Sequence, residues 1–571
     1  MKYEGKRTTA RWQWLPLATL PLALLAACGG SDDGLPQLSA ARPGTLQSCG
    51  ELAGSIHFPN TSITAAAPVA AGALTVAGKP VRAHCQVTGK MFERVSAVDG
   101  KNYAIGFEMR LPNDWNGRFF YQANGGIDGS VVTATGAVNG GGGLDNALNM
   151  GFAVISSDAG HTAADGPFFG TDPQARLDFG YQAVGKLTPM AKNLIKTAYG
   201  REPDRSYFGG CSNGGRHAMV AASRYADAYD GILAGNPGFN LPTAAVGSIA
   251  SAQIYASLAT NPADIGTGFT AAERATVSKA VLEKCDALDG AKDGLIQDTG
   301  ACQAAFNLER DVPTCSGARD GACLSAAQKK GIAQIFAGPK TPSGRDIYSS
   351  FPYDAGHAGG DVAFWEFTAP VALDSGGVGM IWSTPHENPA TFNGPVFALT
   401  GNLDTMLDRI HATGGLFTES GMSFMIPPNP SDLSRLKERG AKLMVFHGTS
   451  DAIFSSDDTT RWYESLRRAN NGDAADFARF YRVPGMNHCS GGPSTDQFDM
   501  LTPLVQWVEN GVAPNTVIAQ ARGAGNPAGV NPDVPADWAA NRTRPLCPYP
   551  QVARYNGTGD INSASSFSCR L

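Results

Sequence analysis

The chain has 571 residues, 43% of them apolar, with 69 glycines and 36 prolines. That length exceeds one ordinary domain and that apolar content excludes a disordered chain, so a core with a large insertion, or two domains, is expected. The net charge of −6, without a basic tail or any Lys/Arg block, argues against a nucleic-acid partner.

The N-terminus reads as a targeting segment over residues 1–27. Lys2, Lys6, Arg7 and Arg11 form a positive region, and Leu15 to Ala27 an apolar stretch too short to span a bilayer comfortably. Leu25-Ala26-Ala27-Cys28 followed by Gly29-Gly30-Ser31 resembles a lipoprotein cleavage site. A membrane anchor, if any, would therefore be a lipid on Cys28; the alternative is simple secretion with a bystander cysteine. The expected location is the outer membrane, the periplasm or outside the cell. Residues 28–45, polar and Gly/Pro-containing, read as a tether.

From residue 46 to 239 short β-type runs alternate with helical patterns. Strands are predicted over 103–111, 117–122, 152–157, 206–208 and 232–234, and helices over 174–199, with Pro189 as a break, and 214–225. The rhythm stops over 240–425, where helices are predicted at 271–283 and 325–336. It resumes with a helix capped at Ser431, strands at 442–447 and 477–483, and a helix at 456–469. The fold class is thus α/β, a mostly parallel sheet with helices on both faces, interrupted by a lid insertion of roughly 185 residues. The second part of the core is 426–571.

Eleven cysteines become ten once Cys28 is set aside, an even number in an exported chain, which favours five disulfides. Short separations suggest Cys285–Cys302, Cys315–Cys323 and Cys547–Cys569. Cys49, Cys85, Cys211 and Cys489 are left.

Gly210-Cys211-Ser212-Asn213-Gly214 matches G-x-S-x-G between a short strand and a helix, where glycines permit a sharp turn that lifts the serine hydroxyl above the sheet edge. The Asn213 N–H then faces a developing oxyanion at a helix N-terminus. A serine needs a base. His488 follows a late strand in Pro484-Gly485-Met486-Asn487-His488-Cys489; His447 lies within an apolar strand and His217 just past the serine, both better read as structural. The chain order Ser, Asp, His of this fold places the orienting acid at Asp451, after the strand ending in Phe446-His447; Asp457 and Asp458 read as helix N-terminal charges. If Ser212 and His488 meet, Cys211 and Cys489 fall within disulfide reach. Gly126, with Gly125 as rival, is the second oxyanion donor, after the strand Phe119 to Gln122. In the insertion, Asp286, Asp289 and Asp293, with the carbonyls of Ala291 and Leu295, suit a calcium ion; the alternative is a solvated acidic turn.

Gly-Cys-Ser-Asn-Gly-Gly-Arg at 210–216, Tyr-Asp-Gly-Ile-Leu-Ala-Gly-Asn-Pro-Gly at 229–238 and Val-Pro-Gly-Met-Asn-His-Cys-Ser-Gly-Gly at 483–492 resemble the tannase and feruloyl esterase family. The resemblance runs from about Cys49 to Cys569. It implies an α/β-hydrolase core with a lid, a structural calcium, no catalytic metal, a Cys211–Cys489 bridge and a Cys49–Cys85 pair. It also implies an acyl pocket lined by Leu241 and Phe454, with Phe364 and Trp365 from the lid, apolar walls that suit a phenolic ring. The family includes hydrolases of mono(2-hydroxyethyl) terephthalate, in which a lid arginine holds the substrate carboxylate. Here residues 346–408 contain no Lys or Arg. Neutral hydroxycinnamoyl or galloyl esters are therefore the expected substrates, with the terephthalate monoester second. The closing segments, Phe498 to Leu504 and Cys547 to Pro550, nonetheless resemble the monoester hydrolases. A lipoprotein that binds aromatic solutes without turnover, and a peptidase on the same residues, are the competing readings.

Overall fold

The computed structural model describes Met1, residues 34–138, 146–427 and 429–571. The targeting segment and Cys28 lie outside the described residues. One compact unit spans Leu35–Leu571. Residues 35–45, read above as tether, are instead laid on the core. The Gln37 amide donates to the Val508 carbonyl at 2.9 Å and the Ala41 N–H to Glu509 Oε2 at 2.9 Å. Leu35 and Leu38 pack against the core clusters, so apolar side chains spaced within a polar run decide the outcome.

A nine-stranded sheet organises the molecule. In chain order its strands are β1 (Thr61–Val69), β2 (His84–Val95), β3 (Asn102–Pro112), β4 (Arg118–Gln122), β5 (Ala153–Ser157), β6 (Arg205–Cys211), β7 (Gly231–Gly235), β8 (Lys442–Gly448) and β9 (Ala478–Val483). Their spatial order is β9-β8-β7-β6-β4-β5-β3-β2-β1. The run from β9 to β5 is parallel and the remaining three pairings are antiparallel. The sheet is mixed: the parallel part runs inward from the β9 edge, and the antiparallel part forms the β1 edge.

Parallel strands must be covered on both faces, which explains why β7 and β8 are buried along their whole length. Successive residues point to opposite faces. Phe208, Ile232, Leu443, Val445 and Phe480 enter one core with the helices α1 (Ala183–Tyr199) and α2 (Asn213–Arg224). Tyr207, Leu233, Met444, Phe446 and Tyr481 enter the other, beneath α8 (Leu501–Asn510). Two predicted details are corrected. Pro189 lies inside α1, and the irregularity falls earlier, in a π-helical turn at Asp178–Gln182. The helix expected to start at Ser431 spans Ser434–Glu438, its first N–H donating to Asp432 Oδ1 at 3.3 Å.

Between β7 and β8 the chain adds no strand to this sheet among the described residues. It forms α3 (Leu241–Leu258), α4 (Ala271–Cys285), α5 (Ala326–Phe336) and α6 (Leu403–His411). Reciprocal caps start two of these: Thr270 with Glu273, and Ser325 with Gln328. Three π-helical turns fill most of Phe364–Trp382, within the stretch where no regular element is predicted. The chain returns to the sheet at β8, followed by α7 (Ser456–Ala469).

All five disulfides are present: Cys49–Cys85, Cys211–Cys489, Cys285–Cys302, Cys315–Cys323 and Cys547–Cys569. They point to an oxidising compartment, periplasmic or extracellular. Among the described residues no helix is long and apolar enough to cross a membrane.

Candidate active site

β4 and β6 are neighbours, yet β5 lies on the far side of β4, so the strand order reverses at this point and a crevice opens at the carboxyl ends. The loops leaving β4 and β6 face each other there. Ser212 sits between β6 and α2 with φ +66° and ψ −126°, a strained conformation for a residue with a side chain. The flanking glycines allow it. A Cβ on Gly210 would lie 2.6 Å from the Ala123 carbonyl oxygen, and one on Gly215 would lie 2.2 Å from that of Gly235.

Ser212 Oγ is 2.8 Å from His488 Nε2, and His488 Nδ1 donates to Asp451 Oδ2 at 2.8 Å. Asp451 follows β8 and His488 follows β9, adjacent parallel strands, so both loops leave the same sheet edge. Asp451 Oδ1 accepts the N–H groups of Ile453 and Phe454 at 3.0 and 3.1 Å, and Oδ2 also accepts the Asn236 amide at 2.7 Å. Burial alone would raise this carboxyl. The attraction of His488, with hydrogen bonds from His447 and His488, outweighs it and holds the group well below the usual carboxylate range. Burial likewise opposes a charged His488, but Asp451 and then Asp361 raise its pKa above 6.5.

The other candidates do not reach Ser212 in the described contacts; His447 instead backs Asp451, its Nε2 3.3 Å from Asp451 Oδ2. His447 is fully buried, bonded to Thr459 Oγ1 at 2.8 Å and the Phe454 carbonyl at 2.9 Å. His217 meets Asp128 Oδ2 at 3.0 Å. Asp457 accepts the Ser350 hydroxyl and Asp458 the Asn240 amide, both from the first turn of α7.

A cleft of about 430 Å³ opens over Ser212, lined by Gly125, Gly126, Val132, Trp365 and His488 among others. Gly125 and Gly126, weighed above as oxyanion donors, thus both line the cleft that holds Ser212. Asn213 is fixed through its side chain: its oxygen accepts Arg216 Nε at 2.7 Å and its amide donates to Asp128 Oδ2 at 2.8 Å. The rings of Trp365 and Phe454 stand 4.7 and 5.3 Å from that of His488, and Phe364 packs on Trp365 at 4.9 Å. Leu241 shares the apolar cluster of Phe454. A larger open groove, about 930 Å³, runs along the C-terminal hairpin and shares no lining residue with this cleft.

Several contacts escaped the sequence reading. Asp361 Oδ2 accepts the His488 N–H at 3.2 Å and its Oδ1 the Trp365 indole at 3.1 Å. Asn236 braces Asp451, and Asp128 braces Asn213. Asn236 lies within the 229–238 motif, which offered a signal; nothing in sequence singles out Asp128 or Asp361.

In the acidic loop Asp286, Asp289 and Asp293 are all buried. Asp286 Oδ1 accepts the N–H groups of Asp293 and Gly294, Asp293 pairs with Arg544, and Asp289 Oδ2 is buried with no partner among the described residues. Burial, with Asp293 and Asp286 nearby, pushes the Asp289 carboxyl up to about 7. Among the described residues no three acidic, histidine or cysteine side chains converge on one metal position.

A serine, a histidine and an aspartate hydrogen-bonded in line at the switch point of an α/β sheet define a hydrolase-type site. The sequence profile of the family described as tannase and feruloyl esterase matches residues 85–570. Mono(2-hydroxyethyl) terephthalate hydrolase of Piscinibacter sakaiensis is 39% identical over 96% of this chain and 92% of its own. A probable feruloyl esterase B of Emericella nidulans is 30% identical over 91% of this chain and 94% of its own. In fold, the chain is similar to crystal structures of Aspergillus oryzae feruloyl esterase B (TM-score 0.72, 24% identity, 91% of this chain and 99% of that one) and Aspergillus niger tannin acyl hydrolase (TM-score 0.68, 21% identity, 93% and 96%). The chain belongs to the tannase and feruloyl esterase family and is a carboxylic ester hydrolase.

Proposed function

We propose that the chain is an exported serine esterase of the α/β-hydrolase type that cleaves neutral aromatic esters through an acyl-enzyme, beneath a lid formed by the insert. The observation that carries this reading is the unbroken hydrogen-bond line Ser212–His488–Asp451 at the floor of the cleft. His488 takes the Ser212 proton as Oγ attacks the ester carbonyl; Asp451 stabilises the imidazolium; the alcohol leaves with that proton, and water repeats the cycle on the acyl-enzyme. The N–H groups of Asn213 and Gly126 hold the oxyanion. Leu241, Phe454, Phe364 and Trp365 supply the apolar walls.

The described lining of the cleft includes no Lys or Arg, and Asp361 stands beside His488. Both features favour an uncharged acyl group, hydroxycinnamoyl or galloyl, over a terephthalate monoester, whose carboxylate would be desolvated without a cation. The test is a comparison of kcat/KM for methyl ferulate, methyl gallate and mono(2-hydroxyethyl) terephthalate. The two neutral esters should exceed the monoester by tenfold or more, about 1.4 kcal/mol; a preference for the monoester overturns the substrate assignment. The similarity to the Piscinibacter enzyme is the observation favouring the monoester as second reading.

Calcium is proposed as a structural ion of the acidic loop, centred on Asp289; Asp286, Asp293 and the carbonyls of Ala291 and Leu295 are the remaining candidate ligands and would have to draw in around it, since among the described residues the three carboxylates do not converge on one metal position. The orphaned Asp289 oxygen and its raised carboxyl support it, since a cation relieves both. It would neutralise the loop and play no part in proton transfer. Lipidation at Cys28 is the proposed mode of any membrane attachment.

A further inference from the structure

Taking the Ser212–His488–Asp451 reading as its basis, we propose that Asp354 is a positioning residue for the reaction, a carboxylate of the insert that clamps the loop carrying Asp451 to the loop carrying His488. Asp354 is 1% exposed. Its Oδ2 accepts three groups: the Thr449 hydroxyl, the Ser450 hydroxyl at 3.0 Å and the Gly485 N–H at 3.0 Å. Its Oδ1 accepts the Ala355 N–H at 2.7 Å. Thr449 and Ser450 immediately precede Asp451, and Gly485 lies three residues before His488. One side chain thus bonds to both loops.

The chemistry fits a carboxylate and nothing else of that size. Four donors converge on two oxygens, an acceptor-only demand that an amide would meet with its own N–H groups pointing at donors. Burying the charge is tolerable because both oxygens are bonded, and charge-assisted bonds of this kind are the stronger sort.

Asp354 begins a strap that follows the two loops. The Gly356 N–H donates to Ser450 Oγ at 3.0 Å, and the Asn487 amide donates to the Gly356 carbonyl at 3.1 Å. A Cβ on Gly356 would lie 2.5 Å from both the Gly485 carbonyl oxygen and Ser450 Oγ, so the strap is pressed against the loops. Asp361 then receives the His488 N–H, and Trp365 lays its ring beside the imidazole. Asp354 is not part of the cleft wall. Its effect on the reaction passes through the loops it joins, which gives the insert a second task besides covering substrate.

The titratable groups facing His488 are Asp451 and Asp361, with His447 and His357 acting on Asp451 from behind. His488 is held above its ordinary pKa chiefly by Asp451, against its own burial. Freeing the two loops from each other weakens that hold, so the acidic limb of the rate profile should move to lower pH as kcat falls. A residue that merely stabilises the fold would lower the amplitude and leave the limb in place.

The experiment compares Asp354→Asn, Thr449→Val and Ser450→Ala in the full chain, with kcat, KM and the pH profile of kcat/KM measured per folded molecule. Asp354→Asn should lose about 10–100-fold in kcat with KM little changed, as expected for a misplaced base, and its acidic limb should move down. The two hydroxyl variants should show the same signs with smaller losses, and they decide the matter if Asp354→Asn does not fold. A kcat within twofold of the wild type in all folded variants, or losses with an unmoved limb, overturns the clamp. Ser212→Ala, run alongside, separates the two levels: if it stays active the underlying reading fails, whereas an inactive Ser212→Ala beside wild-type-like variants rejects the clamp alone.

Discussion

Cys211 and Cys489 are joined across 278 residues with their Cα atoms 6.1 Å apart, and each is the immediate neighbour of one partner in the Ser212–His488 hydrogen bond. The covalent link therefore fixes the same distance that proton transfer depends on. In the chain-entropy treatment, closing so long a loop stabilises by at most about 5–6 kcal/mol.

Replacing both cysteines by alanine should lower unfolding stability by about 2–4 kcal/mol. It should also lower kcat per folded molecule by tenfold or more, because a loosened base forfeits alignment. Denaturant titration and steady-state kinetics on the same preparation check both. The Cys315→Ala/Cys323→Ala pair, whose bridge lies within the insert, should change stability with little change in kcat.

The acid limb of kcat/KM should have its midpoint above pH 6.5. His488 must be neutral to accept the serine proton, and its pKa is raised by Asp451 and Asp361, so activity appears only as pH climbs through that raised value. Asp451 stays ionised throughout, because its pKa is depressed. Asp361→Asn should bring the limb down, since it removes one of the two charges favouring the imidazolium; an upward move contradicts the assignment.

Gly215→Ala and Gly126→Ala should part company. At Gly215 an added methyl meets the Gly235 and Pro237 backbone at 2.2 and 2.9 Å, rigid neighbours, so overpacking should cost about 1–3 kcal/mol of stability. At Gly126 nothing among the described residues lies within 4 Å, but φ is +63°, so the cost should be about 1–2 kcal/mol of backbone strain. Its larger effect should be on kcat, through the displaced N–H. Thermal melts and kinetics on both variants distinguish the two behaviours.

Calcium should raise the melting temperature of chelated enzyme, by about 2.7 kcal/mol of stability at a hundredfold excess over Kd. Asp289→Asn should abolish that response. Kcat at 25 °C should be unchanged by chelation while the protein stays folded. No calorimetric response up to millimolar calcium would remove the ion from the account.

How much of this was legible in sequence depends on whether a signal is local. Ser212 was legible because strand, glycine turn and helix follow one another within a dozen residues. His488 and Asp451 were legible because each lies in the turn that follows a late strand, and order along the chain assigns their roles. The disulfide neighbours followed from the same geometry. β1 and β2 were not singled out, because β1 is an edge strand with mostly exposed or half-buried positions and β2 is polar toward its far end, so neither shows a continuous apolar run. The π-helical stretch from Phe364 was hidden by its glycines, and residues 35–45 were misread because composition does not reveal docking. Asp354, Asp361 and Asp128 act across more than 80 residues of chain, and a lone aspartate carries no record of the loop it will meet.

The central claim is that Ser212 is the nucleophile activated by His488. Labelling the full-length enzyme with a fluorophosphonate, followed by peptide mass mapping, tests it most directly. The adduct should fall on Ser212 alone, and Ser212→Ala should both escape labelling and lose about 10⁴-fold or more in turnover. An adduct on another residue, or a Ser212→Ala enzyme within tenfold of the wild type, would contradict it.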